Sequence, residues 1–417
     1  MKHLSNLAQS PLFQSLASAA AGGALIVHGQ GVVGVQPVEH APFKLRLTDS
    51  TDTGHWVELT VNEHFRCSPE QPIPALITVH GDDGAEVVVQ MDDEAGALDP
   101  DLACVYWLSL DGFSCELRYG KGEARKSTTL LTSVMRDTGS YAWFRHLDRF
   151  DVTDLQGQPC LAVAMLWRDP VVIEPPLVVV RDDEMTMEMA ATASGTVAQS
   201  LSEACQRLYA TVAGLSFQLD TPDFPYFSEA IEQSIADPNG WCYKTLQAKA
   251  SEFGKPDIYA TYLRTTLGQE LGNSPGVPFV MEIWPPAHHS PIHNHADAFA
   301  VIKVLYGEIH VELFDMLSVH HQTPFGAANF QQGQVTWLAP RVNQTHRLSN
   351  PNRVGPTCVT IQCYQYGEDN RAHYEYFDYI DTEGTGIGHF EPNSDMGYME
   401  FKALMKAEWE QRNQKTG

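Results

Sequence analysis

Two histidines, His293 and His295, stand one residue apart in the segment SPIHNHADAFAVIKVLYG, residues 290–307, where an apolar run begins. Side chains at positions i and i+2 of a β-strand point to the same face, about 6–7 Å apart along the chain, so both imidazoles could bind one metal ion. The pair alone is weak evidence, because 17 histidines in 417 residues give roughly 0.7 such pairs by chance. The surrounding sequence has to decide whether a metal site is present.

A third histidine, His346, lies in GQVTWLAPRVNQTHRLSN, beyond a second predicted strand, EIHVELFD. This two-motif arrangement is typical of cupins, small jelly-roll barrels that bind a metal ion on the inside. We expect His293 and His295 on one strand and His346 on a strand across the barrel. Many cupins have a glutamate ligand where this chain has Ala300, so the predicted ligands are three histidines. Three neutral imidazoles suit Fe, Zn, Cu or Ni and leave positions on the ion for a thiolate and O2.

Two alternatives apply to this metal site. The three histidines could be surface or capping residues with no metal-binding role. Other histidines could also be the ligands, although they lie in turn-like sequence: His288, His289, His320 and His321.

The composition indicates a globular protein and excludes some partners. Lys and Arg number 27 and Asp and Glu number 52, which gives a net charge of −25. This charge repels phosphate backbones and anionic lipids, so neither nucleic acid nor a membrane surface is a predicted partner. The eight cysteines show no CxxC motif or dense framework, and they predict reduced thiols in a cytoplasmic protein.

The predicted fold class is mainly β, with a C-terminal cupin jelly-roll barrel after a helical lead-in and a separate all-β module at the N-terminus. Short runs such as HWVELTV, ALITVHG and LVVVR, separated by turn signals, predict the all-β module over residues 1–182. Its role is unknown, and we expect it to bind a ligand or partner. A polar, Met-rich linker is predicted over 183–198, the cupin domain over 199–395 and a terminal helix over 396–417.

Residues from about 199 to 385 resemble the thiol dioxygenase branch of the cupins, the cysteine dioxygenase-like enzymes. The similar segments occur in the family's order along the chain: ADPNGW, YLR, IWPPAHHSPIHNH, LYGEIHVELFD, THRLSN and VTIQCY. The resemblance implies that His293, His295 and His346 hold ferrous iron. It also implies that Arg264 binds the carboxylate of the substrate, a bidentate task that suits a planar guanidinium.

The resemblance places three aromatic residues in the same pocket. Tyr262 and Trp284 would line it, and Tyr364 corresponds to the family's active-site tyrosine, whose hydroxyl points at the bound thiol and oxygen.

The chain departs from the family beside this tyrosine. Gln362 and Thr360 stand where the family usually has a histidine that orients the tyrosine and a serine. A glutamine can hydrogen-bond a tyrosine hydroxyl but cannot change charge near neutral pH. The animal enzymes also have a cysteine, crosslinked to the tyrosine, at the position of Ala300, and this chain cannot form that crosslink.

The leading hypothesis is a mononuclear non-haem iron dioxygenase that uses O2 to oxidise a small thiol, cysteine-like or a mercapto-carboxylate, to a sulfinate. One alternative is a cupin lyase, hydrolase or isomerase that uses its metal as a Lewis acid on a carboxylate substrate. A second alternative is a non-catalytic cupin with a vestigial barrel, in which the N-terminal β-module binds a glycan or protein.

Overall fold

The computed structural model describes residues 21–63, 72–172, 174–214, 216–267, 279–367, 377–391 and 393–416. The chain divides into two compact units, residues 1–174 and 175–417. Within the described ranges no helix is long and apolar enough to cross a membrane. The seven cysteines in these ranges are free thiols, and six of them are buried.

The N-terminal unit is built from two β-sheets, which agrees with the predicted all-β module. The strands of this unit are β1 Gly22–Ala24, β2 Gln30–Pro37, β3 Phe43–Thr48, β4 Trp56–Val61, β5 Ala75–Gly81, β6 Gly84–Met91, β7 Tyr106–Asp111, β8 Glu116–Lys121, β9 Thr129–Val134, β10 Arg149–Thr153 and β11 Ala162–Trp167. One sheet has the strand order β1-β10-β3-β4-β5-β6 and the other has the order β11-β2-β7-β8-β9. Strand β3 shows why these segments form half-buried strands, because Phe43, Leu45 and Leu47 alternate with polar residues and are buried.

The described part of the C-terminal unit contains the remaining strands and five α-helices. The strands are β12 Val178–Val180, β13 Gly195–Val197, β14 Leu263–Leu267, β15 Phe279–Trp284, β16 His293–Asn294, β17 Phe299–Tyr306, β18 Glu308–Phe314, β19 Gly326–Gln331, β20 Val335–Leu338, β21 Thr345–Ser349, β22 Cys358–Gln365, β23 Phe377–Ile380, β24 Ile387–Phe390 and β25 Met396–Gly397. The helices are α1 Met187–Thr192, α2 Glu203–Val212, α3 Phe227–Ala236, α4 Trp241–Ala248 and α5 Tyr398–Thr416.

Two sheets of the C-terminal unit form a jelly-roll barrel of the cupin type. Sheet I has the order β13-β12-β20-β17-β22-β15-β14-β25, and sheet II has the order β19-β18-β21-β16-β23-β24. Apolar side chains of sheet I, such as Trp284 and Val304, share one buried cluster with Val311 and Leu348 of sheet II. This shared core between the sheets confirms the predicted barrel.

The side-chain alternation of the strands decides which residues face the barrel interior. In sheet I, Met281 and Ile361 pack in a cluster with residues of the helices, including Leu208 of α2. Successive side chains of a strand point to opposite faces. The positions next to these two residues, including Glu282 and Gln362, therefore face the interior between the sheets.

The boundary between the units lies earlier than the sequence suggests. Strand β12, in the predicted N-terminal module, pairs with β20 of sheet I, and β13 pairs with β12. The predicted linker, residues 183–198, therefore contains helix α1 and strand β13. A run such as LVVVR predicts a buried strand but does not specify which sheet the strand joins.

This boundary predicts different stabilities for two fragments. A fragment of residues 175–417 keeps the hydrogen bond from Trp337 Nε1 to the Pro176 carbonyl, 2.8 Å long, and the burial of Val179 in the barrel's core. A fragment of residues 199–417 loses both, and burial of one valine contributes about 1.5–3 kcal/mol. We expect the longer fragment to bind metal and to be the more stable by at least about 2 kcal/mol in urea unfolding. Equal stabilities would show that β12 and β13 do not belong to the barrel.

Candidate metal centre

His293 and His346 are direct partners across two neighbouring antiparallel strands. His293 on β16 lies opposite His346 on β21. The sequence-based expectation that His346 comes from a strand across the barrel is therefore wrong, because β16 and β21 are hydrogen-bonded neighbours within sheet II. Facing positions on adjacent strands bring two side chains of the same face together, which places both imidazoles at one point.

His295 lies just beyond the strand that holds His293. Strand β16 ends at Asn294, and Ala296 and Asp297 have left-handed φ values of 48° and 60°. The Gln344 side chain fixes this turn, since it accepts a 2.9 Å hydrogen bond from the Asp297 amide. The strand predicted to hold both histidines is thus only two residues long, and a turn held by hydrogen bonds sets the direction of His295.

The three imidazoles converge on one point, and those of His295 and His346 meet through their Nε2 atoms. Nδ1 of His293 lies 3.1 Å from the Pro291 carbonyl oxygen, and Nδ1 of His346 lies 3.2 Å from the Asn343 carbonyl oxygen. A carbonyl oxygen can only accept, so each Nδ1 donates and each Nε2 keeps its lone pair. Nε2 of His295 lies 3.2 Å from Nε2 of His346, and one ring nitrogen from each of the three histidines lies within 4.8 Å of the others.

Burial keeps these imidazoles neutral at neutral pH. It lowers the pKa of His293 to about 4 and that of His346 to about 3, and it lowers the pKa of His295 well below its ordinary value. A neutral imidazole offers the lone pair that a metal ion requires, so no proton has to be removed before a metal binds.

The donor geometry fits a metal ion. Two nitrogens that each lie about 2.1 Å from one ion, at an angle of about 90–110°, are about 3.0–3.4 Å apart, which matches the 3.2 Å between His295 and His346. Nδ1 of His295 is buried and has no hydrogen-bond partner among the described residues. Without a cation Nε2 of His295 can donate a hydrogen bond to Nε2 of His346, but Nδ1 of His295 remains a buried polar atom without a partner among the described residues, which is costly. His293, His295 and His346 therefore form a site suited to a metal ion.

The alternative ligands lie elsewhere in the barrel. Nδ1 of His288 is 2.8 Å from the Thr261 carbonyl oxygen, and that of His289 is 3.0 Å from the Ser290 carbonyl oxygen. His321 pairs with Asp315, and His320 is exposed. In the described ranges the three-histidine cluster contains none of these four alternatives.

A small cavity lies beside the histidines and has His293 and His295 in its wall. Tyr262 and Trp284 stack in the wall at 4.3 Å between ring centroids, and Trp284 Nε1 donates a 3.1 Å hydrogen bond to Thr360 Oγ1. Aromatic residues make up most of the apolar wall: Phe253, Tyr262, Trp284, Tyr364, Phe377, Tyr379 and Phe390.

A chain of four polar residues forms one side of the cavity. Arg264 Nη1 donates to Glu282 Oε1 at 3.4 Å, and Gln362 Nε2 donates to Glu282 Oε2. An ionised carboxylate can only accept, so the Gln362 amide nitrogen faces Glu282 and its carbonyl oxygen accepts from the Tyr364 hydroxyl. The Tyr364 ring also stacks on His295, with 5.4 Å between the ring centroids. Burial raises the pKa of Tyr364 well above its ordinary value, so its hydroxyl stays protonated.

The structure places the sequence-predicted site residues around one cavity, except His346, which joins the histidine cluster but does not line the cavity. Arg264 lines the cavity from strand β14, and Tyr262 lies immediately before that strand. Trp284 lines it from β15, and Gln362 and Tyr364 line it from β22. Ala300 lies opposite Tyr364 on the neighbouring strand β17. Its methyl side chain cannot bind a metal ion.

Sequence reasoning missed Glu282. The signal was available, because a charged residue interrupts the apolar run FVMEIW two positions before Trp284, on the same face of the strand. Glu282 is only 3% exposed, and burial raises the pKa of its carboxyl group to about 7. A buried carboxylate in a cavity wall is a functional candidate in its own right.

Comparison with known proteins finds cupins among the solved structures that resemble this chain, whereas no family's sequence model matches it. The Cupin_2 domain of an XRE family transcriptional regulator from Enterobacter cloacae is 12% identical, with 26% of this chain and 98% of that chain covered and a TM-score of 0.20. An RmlC-like cupin with a double-stranded β-helix fold from Methanocaldococcus jannaschii is 15% identical over 25% of this chain and 79% of that chain, with a TM-score of 0.19.

An oxalate oxidase in complex with the substrate analogue glycolate is 18% identical over 25% of this chain and 51% of that chain, with a TM-score of 0.21. These similarities cover about a quarter of the chain. The class of the C-terminal unit therefore rests on its own two facing sheets: it is a cupin-type barrel with a three-histidine centre.

Proposed function

We propose that this protein is a mononuclear non-haem iron oxygenase that converts a small thiol to a sulfinate. The observation that carries the proposal is the convergence of three neutral imidazoles at the wall of a cavity that also contains Arg264 and Tyr364. A donor set without a carboxylate leaves the full charge of a divalent ion in place, which favours an anionic thiolate as a further ligand.

Residues of the cavity would hold and shield the substrate. Arg264 Nε is buried without a hydrogen-bond partner in the described part of the chain, so the guanidinium keeps donors for a substrate carboxylate. The stacked rings of Tyr262 and Trp284 would pack against the substrate's carbon atoms and exclude water. Tyr364, held by Gln362 beside His295, would place its oxygen near the reacting sulfur.

The chemistry that ferrous iron would supply in this site is the activation of O2 toward sulfur. The overall conversion is R–SH plus O2 to R–SO2H. Both oxygen atoms form bonds to sulfur, and the four electrons that sulfur loses reduce the O2. No additional reductant is needed.

A second function is favoured by one observation, the position of Glu282. A buried carboxyl group with a pKa of about 7 in the wall of a metal cavity has the properties of a general base near neutral pH. Such a base would suit a lyase or isomerase that acts on a carboxylate substrate without consuming O2.

Oxygen consumption separates these functions. The full-length protein is purified anaerobically, its iron is measured, and O2 uptake is followed with cysteine, cysteamine, 3-mercaptopropionate and mercaptosuccinate. We expect about one O2 consumed per sulfinate formed with at least one of these thiols. Bound iron without O2 uptake would contradict the oxygenase and favour the Lewis-acid enzyme. A purified protein that binds no metal would favour a non-catalytic cupin.

A further inference from the structure

We propose that Glu282 determines the substrate specificity of this cavity: it accepts the ammonium group of an aminothiol and disfavours a mercapto acid that lacks an amine. This inference rests on the proposed function, because it concerns the thiol that the iron centre would oxidise. Glu282 faces the cavity from β15, and its strand lies between the strands that hold Arg264 and Gln362.

Both partners of the Arg264–Glu282 pair keep hydrogen-bonding capacity for a ligand. Their contact is 3.4 Å long, whereas a close charge-assisted hydrogen bond is about 2.7–2.9 Å. Each oxygen of an ionised carboxylate can accept more than one hydrogen bond, so Glu282 can bind an ammonium group while it keeps Gln362. Arg264 Nε has no partner in the described residues and is left for a ligand carboxylate.

Apart from the metal ion, which would bind the sulfur of either thiol, the charges around Glu282 make the cavity wall close to neutral overall. Arg264 on β14 is its nearest cation, and Lys249, after helix α4, is a second cation that is itself paired with Asp395 and Glu252. From β22 the neutral amide of Gln362 faces Glu282. The tyrosines of the wall, Tyr262 and Tyr364, stay protonated, and the three histidines are neutral. One buried cation and one buried carboxylate therefore dominate this wall.

A ligand has to fit this charge balance. The ammonium group of cysteamine would bind Glu282, and an aminothiol with a carboxylate would add a second contact at Arg264. A mercapto acid places a second negative charge beside Glu282 and offers no compensating cation. Its binding should drive Glu282 to take up a proton, so its affinity should weaken as the pH rises above about 7.

Binding measured without turnover tests this specificity. The full-length, iron-loaded protein is titrated calorimetrically under nitrogen with cysteamine and with 3-mercaptopropionate, at about pH 6 and about pH 8. We expect Glu282→Gln to weaken cysteamine binding at least tenfold and to tighten 3-mercaptopropionate binding severalfold at the higher pH. Each thiol releases the same proton when it binds either protein, so the ratio of its affinities for the wild-type and Glu282→Gln proteins does not depend on that proton.

Glu58→Gln is the matched control, because Glu58 is also a buried strand carboxylate paired with an arginine, Arg46, but it lies in the N-terminal unit. It should change neither affinity. A Glu282→Gln protein whose preference between the two thiols stays within twofold of wild type would overturn the inference, as would a wild-type protein that binds neither thiol.

Proton counting on the wild-type protein tests the same inference without a substitution. Titrations at about pH 7.5 in two buffers of different ionisation enthalpy give the number of protons taken up on binding. After subtraction of the proton that each thiol itself releases, binding of 3-mercaptopropionate should be accompanied by uptake of about half a proton more than binding of cysteamine. Equal uptake would overturn the inference even if Glu282→Gln does not fold. The proposed oxygenase fails separately, if the selectivity is as expected but no thiol causes O2 uptake.

Discussion

His346→Ala is expected to abolish stoichiometric iron binding while the barrel still folds, and His293→Ala and His295→Ala should do the same. Among the described residues three side chains converge on the site, so each substitution leaves two imidazoles, which hold a divalent ion far more weakly. We expect iron to fall from about one equivalent to less than about a tenth in each variant. Elemental analysis measures the iron, and circular dichroism and gel filtration verify the fold.

His320→Ala is the control for loss of a histidine that lies outside the cluster, since His320 is exposed. It should keep the iron content of the wild-type protein. If any variant of the three predicted ligands retains a full equivalent of iron, the ligand set is incorrect and the proposed oxygenase loses its basis.

Arg264→Lys is expected to raise the apparent KM for carboxylate-bearing thiols by about tenfold or more, because lysine keeps the charge but loses the planar fork of donors. A bidentate charge-assisted pair contributes about 1.5–3 kcal/mol, so Arg264→Ala should cost up to about 100-fold. Cysteamine has no carboxylate and should change by less than about threefold in Arg264→Lys. Oxygen uptake with cysteine, 3-mercaptopropionate and cysteamine gives these values.

Two measurements guard this result against a general loss of structure. Iron content should stay near that of wild type, because Arg264 is not in the histidine cluster. Arg347→Lys is the matched control, since Arg347 also lies on a barrel strand and pairs with a carboxylate, Glu312, at 2.6 Å, but it does not line the cavity. Normal turnover of every thiol acid by Arg264→Ala would show that Arg264 is structural, and the substrate would have to be sought outside the thiol carboxylates.

The polar residues of the cavity wall show which features of the site the sequence predicts and which it does not. Period-two alternation predicts that Tyr262 and Arg264 share a face, and that Gln362 and Tyr364 share one, because side chains two apart on a strand point the same way. Alternation within a strand is a local property, so the sequence predicts it even when the neighbouring strands are not known. The contact between Glu282 and Gln362 joins residues 80 positions apart and depends on which strands pair and in which register.

The same distinction applies to the histidines and to the boundary between the units. The residue types and the strands around His293, His295 and His346 are local features of the sequence, and they predict the three-histidine cluster that the structure contains. Their adjacency on β16 and β21, and the transfer of β12 into sheet I, were decided by long-range strand pairing. Backbone hydrogen bonds in a sheet are nearly independent of side-chain identity, so many pairings suit the same strands, and burial of the whole core selects one of them.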